Sequence, residues 1–189
     1  MDADFSIELG RDDAVLDFPW KDPAGNLAYF DLKRQPELIA QVEEAKKLLE
    51  LGEFLRTVNS AHSLVESAKC DAWSTTDLSA EEDVFHASHK FASYVDLVFS
   101  SIDERWSFPR HEQFAKRLVA LLRRAPEMSA AAEVCVRRCF FGEDGEAREG
   151  FYLTVYVNGY GDDEAAAQKR WMIGVKLVGT AILQLSASG

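Results

Sequence analysis

Gly150-Phe151-Tyr152-Leu153-Thr154-Val155-Tyr156-Val157-Asn158-Gly159-Tyr160-Gly161 is the stretch on which the fold turns. It is dense in β-branched and aromatic residues, and period-2 alternation divides it into two faces. Phe151, Leu153, Val155 and Val157 make one face purely apolar, whereas Tyr152, Thr154, Tyr156 and Asn158 make the other amphipathic. Upstream, Val134 to Phe141 has the composition of a second strand, and Asp144-Gly145 between them is a dipeptide suited to the positive φ values of a tight hairpin turn. With those two residues as the loop, Val136 is predicted to face Leu153 and Val134 to face Val155. Arg137 then faces Tyr152, and Cys135 faces Thr154. The two apolar sets meet on one side, as a half-buried hairpin requires.

A helix is predicted to follow the hairpin. Gly161-Asp162-Asp163-Glu164 places carboxylates at its start, where free amides and the positive end of the dipole favour them. Beyond it, Trp171, Gly174, Val175, Val178, Ala181, Ile182 and Leu185 recur at intervals of three and four. Residues 68–124 repeat the plan: a strand from Ala68 to Thr75, a second from His89 to Phe99, and a helix from Arg110 to Arg124. An offset of 60 lays Phe91 on Phe151, Val95 on Val155, Leu118 on Val178 and Leu122 on Ile182, and so keeps the apolar faces in phase. The acidic connection from Asp77 to Ala87 is where the first unit departs from the second.

The first 61 residues are less regular. Phe5, Ile7 and Leu9 alternate over a short strand, Asp22-Pro23-Ala24-Gly25 is a turn, and Leu27 to Leu32 is predicted as a further strand. Pro36 suits a first helical position, Leu38, Val42, Ala45 and Leu49 line a helix, and Leu51, Phe54, Leu55 and Val58 continue after Gly52. The expected fold is α+β in one domain over residues 1–189. A predominantly antiparallel sheet is built from two ββα units (62–125 and 126–189) as an internal repeat, with helices packed on it and an N-terminal helical segment (1–61).

Composition bounds the function. The chain has 189 residues, 47% of them apolar, which suffices for a core, and its net charge is −11. That balance repels phosphate backbones, and no basic stripe carries interleaved aromatics, so no nucleic acid is expected as a partner. Neither a charged-then-apolar leader nor a run of about 20 apolar residues is present, so no membrane is expected and a cytoplasmic location is. Cys70, Cys135 and Cys139 lack the spacing of a disulfide framework or a zinc ribbon and are expected to be free, inert thiols.

Motifs for chemistry are sparse. His86-x-x-His89 behind Glu81, Glu82 and Asp83 supplies metal-ligand types, but no third ligand stands at a fixed spacing, and a solvated acidic connection is the expectation. Asn158-Gly159-Tyr160-Gly161 before a helix lacks the Lys-Ser/Thr of a phosphate loop and is followed by three acids. No metal or cofactor is therefore expected. The second sheet face is the candidate site: Tyr94, Asp96, Arg137, Tyr152, Thr154 and Tyr156 share it, and aromatic rings with polar tips suit a partly desolvated contact. Its competing role is a second core layer covered by an N-terminal helix through Leu38, Val42 and Leu49 or through Phe54 and Val58. The function expected is a non-catalytic module that binds a small molecule or a protein partner on this face. An enzyme with dispersed active-site residues and a self-assembling homodimer are the alternatives.

Overall fold

A computed structural model describes residues 1–22, 24–25, 27–143 and 146–187, apart from the side chains of Glu81, Asp83, Val84, Glu143 and Glu146. In chain order the elements are β1 (Asp2–Glu8), β2 (Val15–Phe18), a 3-10 turn (Pro36–Gln41), α1 (Glu43–Lys47), α2 (Leu49–Val58) and β3 (Val65–Thr75). A second 3-10 turn (Ala80–Phe85), β4 (His89–Phe99), α3 (Ile102–Arg105), α4 (Phe108–Leu122), β5 (Ala130–Glu143), β6 (Glu146–Gly161) and α5 (Glu164–Ala187) complete them. Helices and one sheet give an α+β fold. The sheet runs β1-β5-β6-β4-β3, with β2 also paired to β5.

The β5–β6 register follows the alternation of apolar residues: Val136 lies opposite Leu153, Val134 opposite Val155, Arg137 opposite Tyr152 and Cys135 opposite Thr154. Pairing continues to Glu143 opposite Glu146, and the expected turn residues Asp144 and Gly145 lie outside the described residues, as does Pro23 of the turn expected after Asp22. At the centre of the sheet β4 runs antiparallel to β6, with Val95 facing Val155 and Tyr94 facing Tyr156. The 60-residue offset does not extend to the first hairpin's register: it would carry the Val136–Leu153 pair onto Thr76 and Ser93, but Ser93 faces Ala72.

Three expectations are corrected by the N-terminal segment. The sheet is mixed and has six strands rather than four antiparallel ones, because β1 covers Ala131–Arg137 of β5 and β2 covers Arg138–Phe141, both in parallel. β5 is 14 residues long, and its outer edge would otherwise expose unpaired amides and carbonyls. Leu27 to Leu32 is not a strand; one bridge, Lys21 to Ala28, is all the ladder formed there among the described residues. The helix expected across Leu38 to Leu49 is interrupted twice, since Val42 and Leu48 adopt extended angles. Gly52 lies within α2, and a Cβ there would stand 3.3 Å from the Ala45 carbonyl oxygen, so it sets how closely α2 approaches α1.

The helices lie on the apolar face. Phe91, Val95, Leu97, Leu153, Val155 and Val157 join Leu118, Leu122, Trp171, Val175, Val178 and Ile182 in one buried cluster. Phe151 is half-buried and packs on Phe108 at 5.5 Å between ring centroids. Trp171, fully enclosed, donates its indole N–H to Ser93 Oγ at 2.8 Å, so its polar edge is satisfied inside the core. α5 crosses β6 at Gly159, where a Cβ would stand 2.2 Å from the Trp171 backbone nitrogen. Only a residue without a side chain allows that approach. α2 docks on the same side: Leu51, Phe54, Leu55 and Val58 belong to the helix-side cluster, and Phe54 packs beside Gly179 of α5.

The N-terminal helices therefore do not cover the tyrosine face. One end of that face is covered by the chain around β2, which buries Leu16 and Phe18 against Ala68, Val98, Cys139, Phe141 and Tyr152, with Trp20, Tyr29 and Trp106 at the margin. Arg105 fastens this second cluster. Its Nε donates to the Phe99 carbonyl at 2.8 Å, its Nη2 meets Glu66 Oε1 at 3.2 Å, and its guanidinium lies 5.3 Å from the Phe18 ring and 5.1 Å from the Phe141 ring.

Candidate functional site

Where β2 stops, the rest of the second face opens into a cleft of about 230 Å³. Five of the six residues singled out from the sequence line it: Tyr94, Asp96, Arg137, Tyr152 and Tyr156. Thr154, the sixth, lies beneath them, 1% exposed. Strand pairing brings them together, because Asp96 faces Thr154 on one side of β6 and Cys135 faces it on the other. Tyr94 and Tyr156 are opposite one another with ring centroids 6.1 Å apart.

A short hydrogen-bonded chain links the polar groups. Arg137 Nη1 donates to Tyr156 OH at 2.9 Å and to Thr154 Oγ1 at 3.0 Å, and Thr154 donates onward to Asp96 Oδ1 at 2.7 Å. Arg137 Nε donates to Glu8 Oε2 on β1, also at 2.7 Å. Burial works against the Arg137 charge, but the Tyr156 and Glu8 bonds outweigh it and hold the guanidinium above its ordinary range. Arg137 is in this way a fixed cation rather than a mobile one. Asp96 is only 6% exposed, and burial pushes its carboxyl up to about 6, against the Thr154 bond and the Lys69 and Arg137 charges. Among the described residues its one hydrogen bond is at Oδ1, which leaves Oδ2 for the cleft that Asp96 lines. Burial likewise raises the Tyr94 hydroxyl, with the Asp96 charge adding to it, so the phenol remains a neutral donor.

Three further residues of the lining were not among the site residues expected from the sequence, though Leu16 and Trp20 read there as apolar anchors. Trp20 and Lys69 line the cleft, with the Lys69 ammonium 4.9 Å from the Trp20 ring centroid and 5.7 Å from that of Tyr94. Leu16 of β2 forms its floor toward the second cluster. Lys69 reaches this face through an irregularity in the β3–β4 ladder between Ser67 and Lys69, which strict alternation does not foresee. Trp20 lies in a segment with no period to read.

The other candidates lie elsewhere. His86, at φ 49°, ends the second 3-10 turn, and His89 Nδ1 shares a hydrogen bond with Ser88 Oγ at 3.1 Å. Among the described residues no group of three or more His, Cys, Asp or Glu is placed to hold a metal ion. Gly159 and Gly161 pack under α5 rather than forming an anion loop, and Tyr160 donates to Glu82 Oε1 at 2.8 Å. The cysteines are unpaired; burial lifts the Cys70 thiol to about 12 and the Cys135 thiol to about 11, far from a reactive thiolate. Among the described residues no helix is long and apolar enough to cross a membrane. No protein-family model, no curated protein and no solved structure matches this chain.

Proposed function

We propose that this protein is a binding module for a small polar molecule, held in the cleft between β2 and the exposed part of the sheet's second face. The observation that carries the proposal is Asp96: a carboxyl 6% exposed, anchored by Thr154 at one oxygen, with the other left for a cleft walled by Trp20, Tyr94, Tyr152 and Tyr156. A carboxyl held at one oxygen with the other turned to a cleft gives a ligand a fixed polar anchor, and a site of few polar groups among aromatic walls is what small ligands use. The ligand would donate to Asp96, stack on Tyr94 or Tyr156, and turn an acceptor toward Lys69. The shared face of two ββα units would then present unlike groups from each: Tyr94 and Asp96 from one, Thr154 and Tyr156 from the other.

A metabolite panel screened by thermal shift and followed by calorimetry tests this. Tyr94→Ala and Tyr156→Ala, at half-buried positions, should each weaken a ligand found for the native protein by about tenfold or more while barely moving its melting temperature. Tyr152→Ala, at a position 3% exposed, should instead cost about 3–5 kcal/mol of stability. Light scattering on the same variants covers the rival role as a homodimer face: a native dimer that becomes a monomer on Tyr94→Ala or Tyr156→Ala, with no ligand found, refutes the proposal. A second role, as an enzyme, is favoured by one observation, the Asp96 carboxyl poised near neutrality beside an open cleft, where it could move a proton to or from a bound molecule. Turnover of a ligand that Asp96→Asn binds but does not convert would establish it.

A further inference from the structure

Beside the polar cleft lies a larger cavity of about 630 Å³, between β3, α1 and the chain from Trp20 to Leu32. Phe30, Leu32, Val42, Leu55 and Cys70 give it apolar lining, with exposed Leu27 beside them, and Gln41, Glu43, Glu44 and Lys46 of the α1 side also line it. The two spaces share Trp20 and Lys69 as lining. At that shared lining the Lys69 ammonium lies 4.9 Å from the Trp20 ring centroid. Among the described residues that ammonium has no carboxylate within ion-pair distance. Its close neighbours are two aromatic faces, and the carboxyl that its charge acts on, Asp96, is bound at one oxygen to Thr154.

Size bears on what fits. Ligand sites usually span about 300–1,000 Å³, so the cleft of about 230 Å³ is small by itself, whereas the neighbouring cavity falls within that range. Building on the cleft as the ligand site, we infer that the two spaces receive one amphiphilic anion: an acidic head beside Lys69, reaching the polar cleft, and an unbranched apolar tail in the cavity behind Trp20. A half-buried cation with no carboxylate in direct contact among the described residues, placed where a polar and an apolar space share lining, matches a head group by charge. The apolar lining matches a tail by area removed from water. Cys70, kept as a neutral thiol, adds to that apolar wall. A carboxylate and a phosphate monoester share this chemistry.

Calorimetry with straight-chain monocarboxylates from butyrate to decanoate, against the alcohols of the same length, tests the assignment on the full chain. Affinity for the acids should rise about fourfold per added methylene until the tail space is filled. The alcohols should bind at least about tenfold more weakly than the acids, and Lys69→Met should abolish that difference. Ala28→Trp, which fills the tail space from its rim, should flatten the dependence on length while short acids still bind. Octyl phosphate run beside nonanoate separates the two head chemistries; whichever binds tighter identifies the source as a lipid phosphate or a free acid. Binding of short acids that depends on Tyr94 and Tyr156 but not on chain length overturns this inference and leaves the cleft as a ligand site. Length-dependent binding indifferent to Lys69, Tyr94 and Tyr156 overturns both. No binding of any acid or phosphate overturns the amphiphile.

Discussion

Asp96 is a carboxyl held against the cost of its own burial. Its carboxyl titrates at about 6 in the fold against an ordinary value of 3.8, so between those two pH values the folded chain holds a proton that the unfolded chain has released. Its contribution is therefore most favourable below about pH 4, falls as pH rises toward 6, and is a constant penalty above that, on the order of 3 kcal/mol. Asp96→Asn removes the penalty and still offers Thr154 an acceptor. The variant should melt higher than the native protein at pH 7, with the gap closing toward pH 4; a gap that widens on acidification contradicts the assignment. His111 runs the other way. It is wholly buried, its Nδ1 lies 2.9 Å from the Ser107 carbonyl, and burial holds its imidazole below the ordinary range, so its contribution is lost as pH falls through the value of an unfolded histidine. Both proteins carry His111, so the difference between them cancels it. Sequence alone placed Asp96 on the right face, because strand alternation fixes that. Its depth was not legible, since burial depends on β2 and Trp20, which arrive from a segment without period.

At the scale of elements, the helices and the central strands were legible and the edges were not. Leu118 of α4 and Val178 of α5 were assigned to the core from their spacing alone, and both are fully enclosed. Each should lose stability on truncation to alanine, Leu118→Ala by about 2–5 kcal/mol and Val178→Ala by less, measured by urea denaturation. A loss below about 0.5 kcal/mol for Leu118→Ala would contradict the packing described. The β5–β6 register was legible because a shift by one residue would turn Phe151, Leu153 and Val155 to the wrong side. That β4 lies beside β6 was not, because nothing in either strand names its neighbour. β1 and β2 carry the same lesson further: alternation marks Asp2–Glu8 as a strand, but parallel pairing to a strand far along the chain leaves no local mark.

The whole molecule is held by pairings between distant residues. β1 places Asp2 opposite Ala131, and β4, besides its hairpin partner β3, pairs with β6, with Leu97 opposite Leu153. A fragment ending at residue 125 contains β1, β2, β3, β4 and α4 but neither strand that joins them, so it should lack fixed tertiary structure, with no near-ultraviolet circular dichroism and no protected amides. A native-like spectrum from that fragment would show that the first hairpin and its helix stand alone. The topology also has a consequence in time. As the polypeptide leaves the ribosome, β1 and β2 emerge more than about a hundred residues before the strand that receives them. The apolar side chains of Leu16 and Phe18 must wait for that strand before their cover is complete.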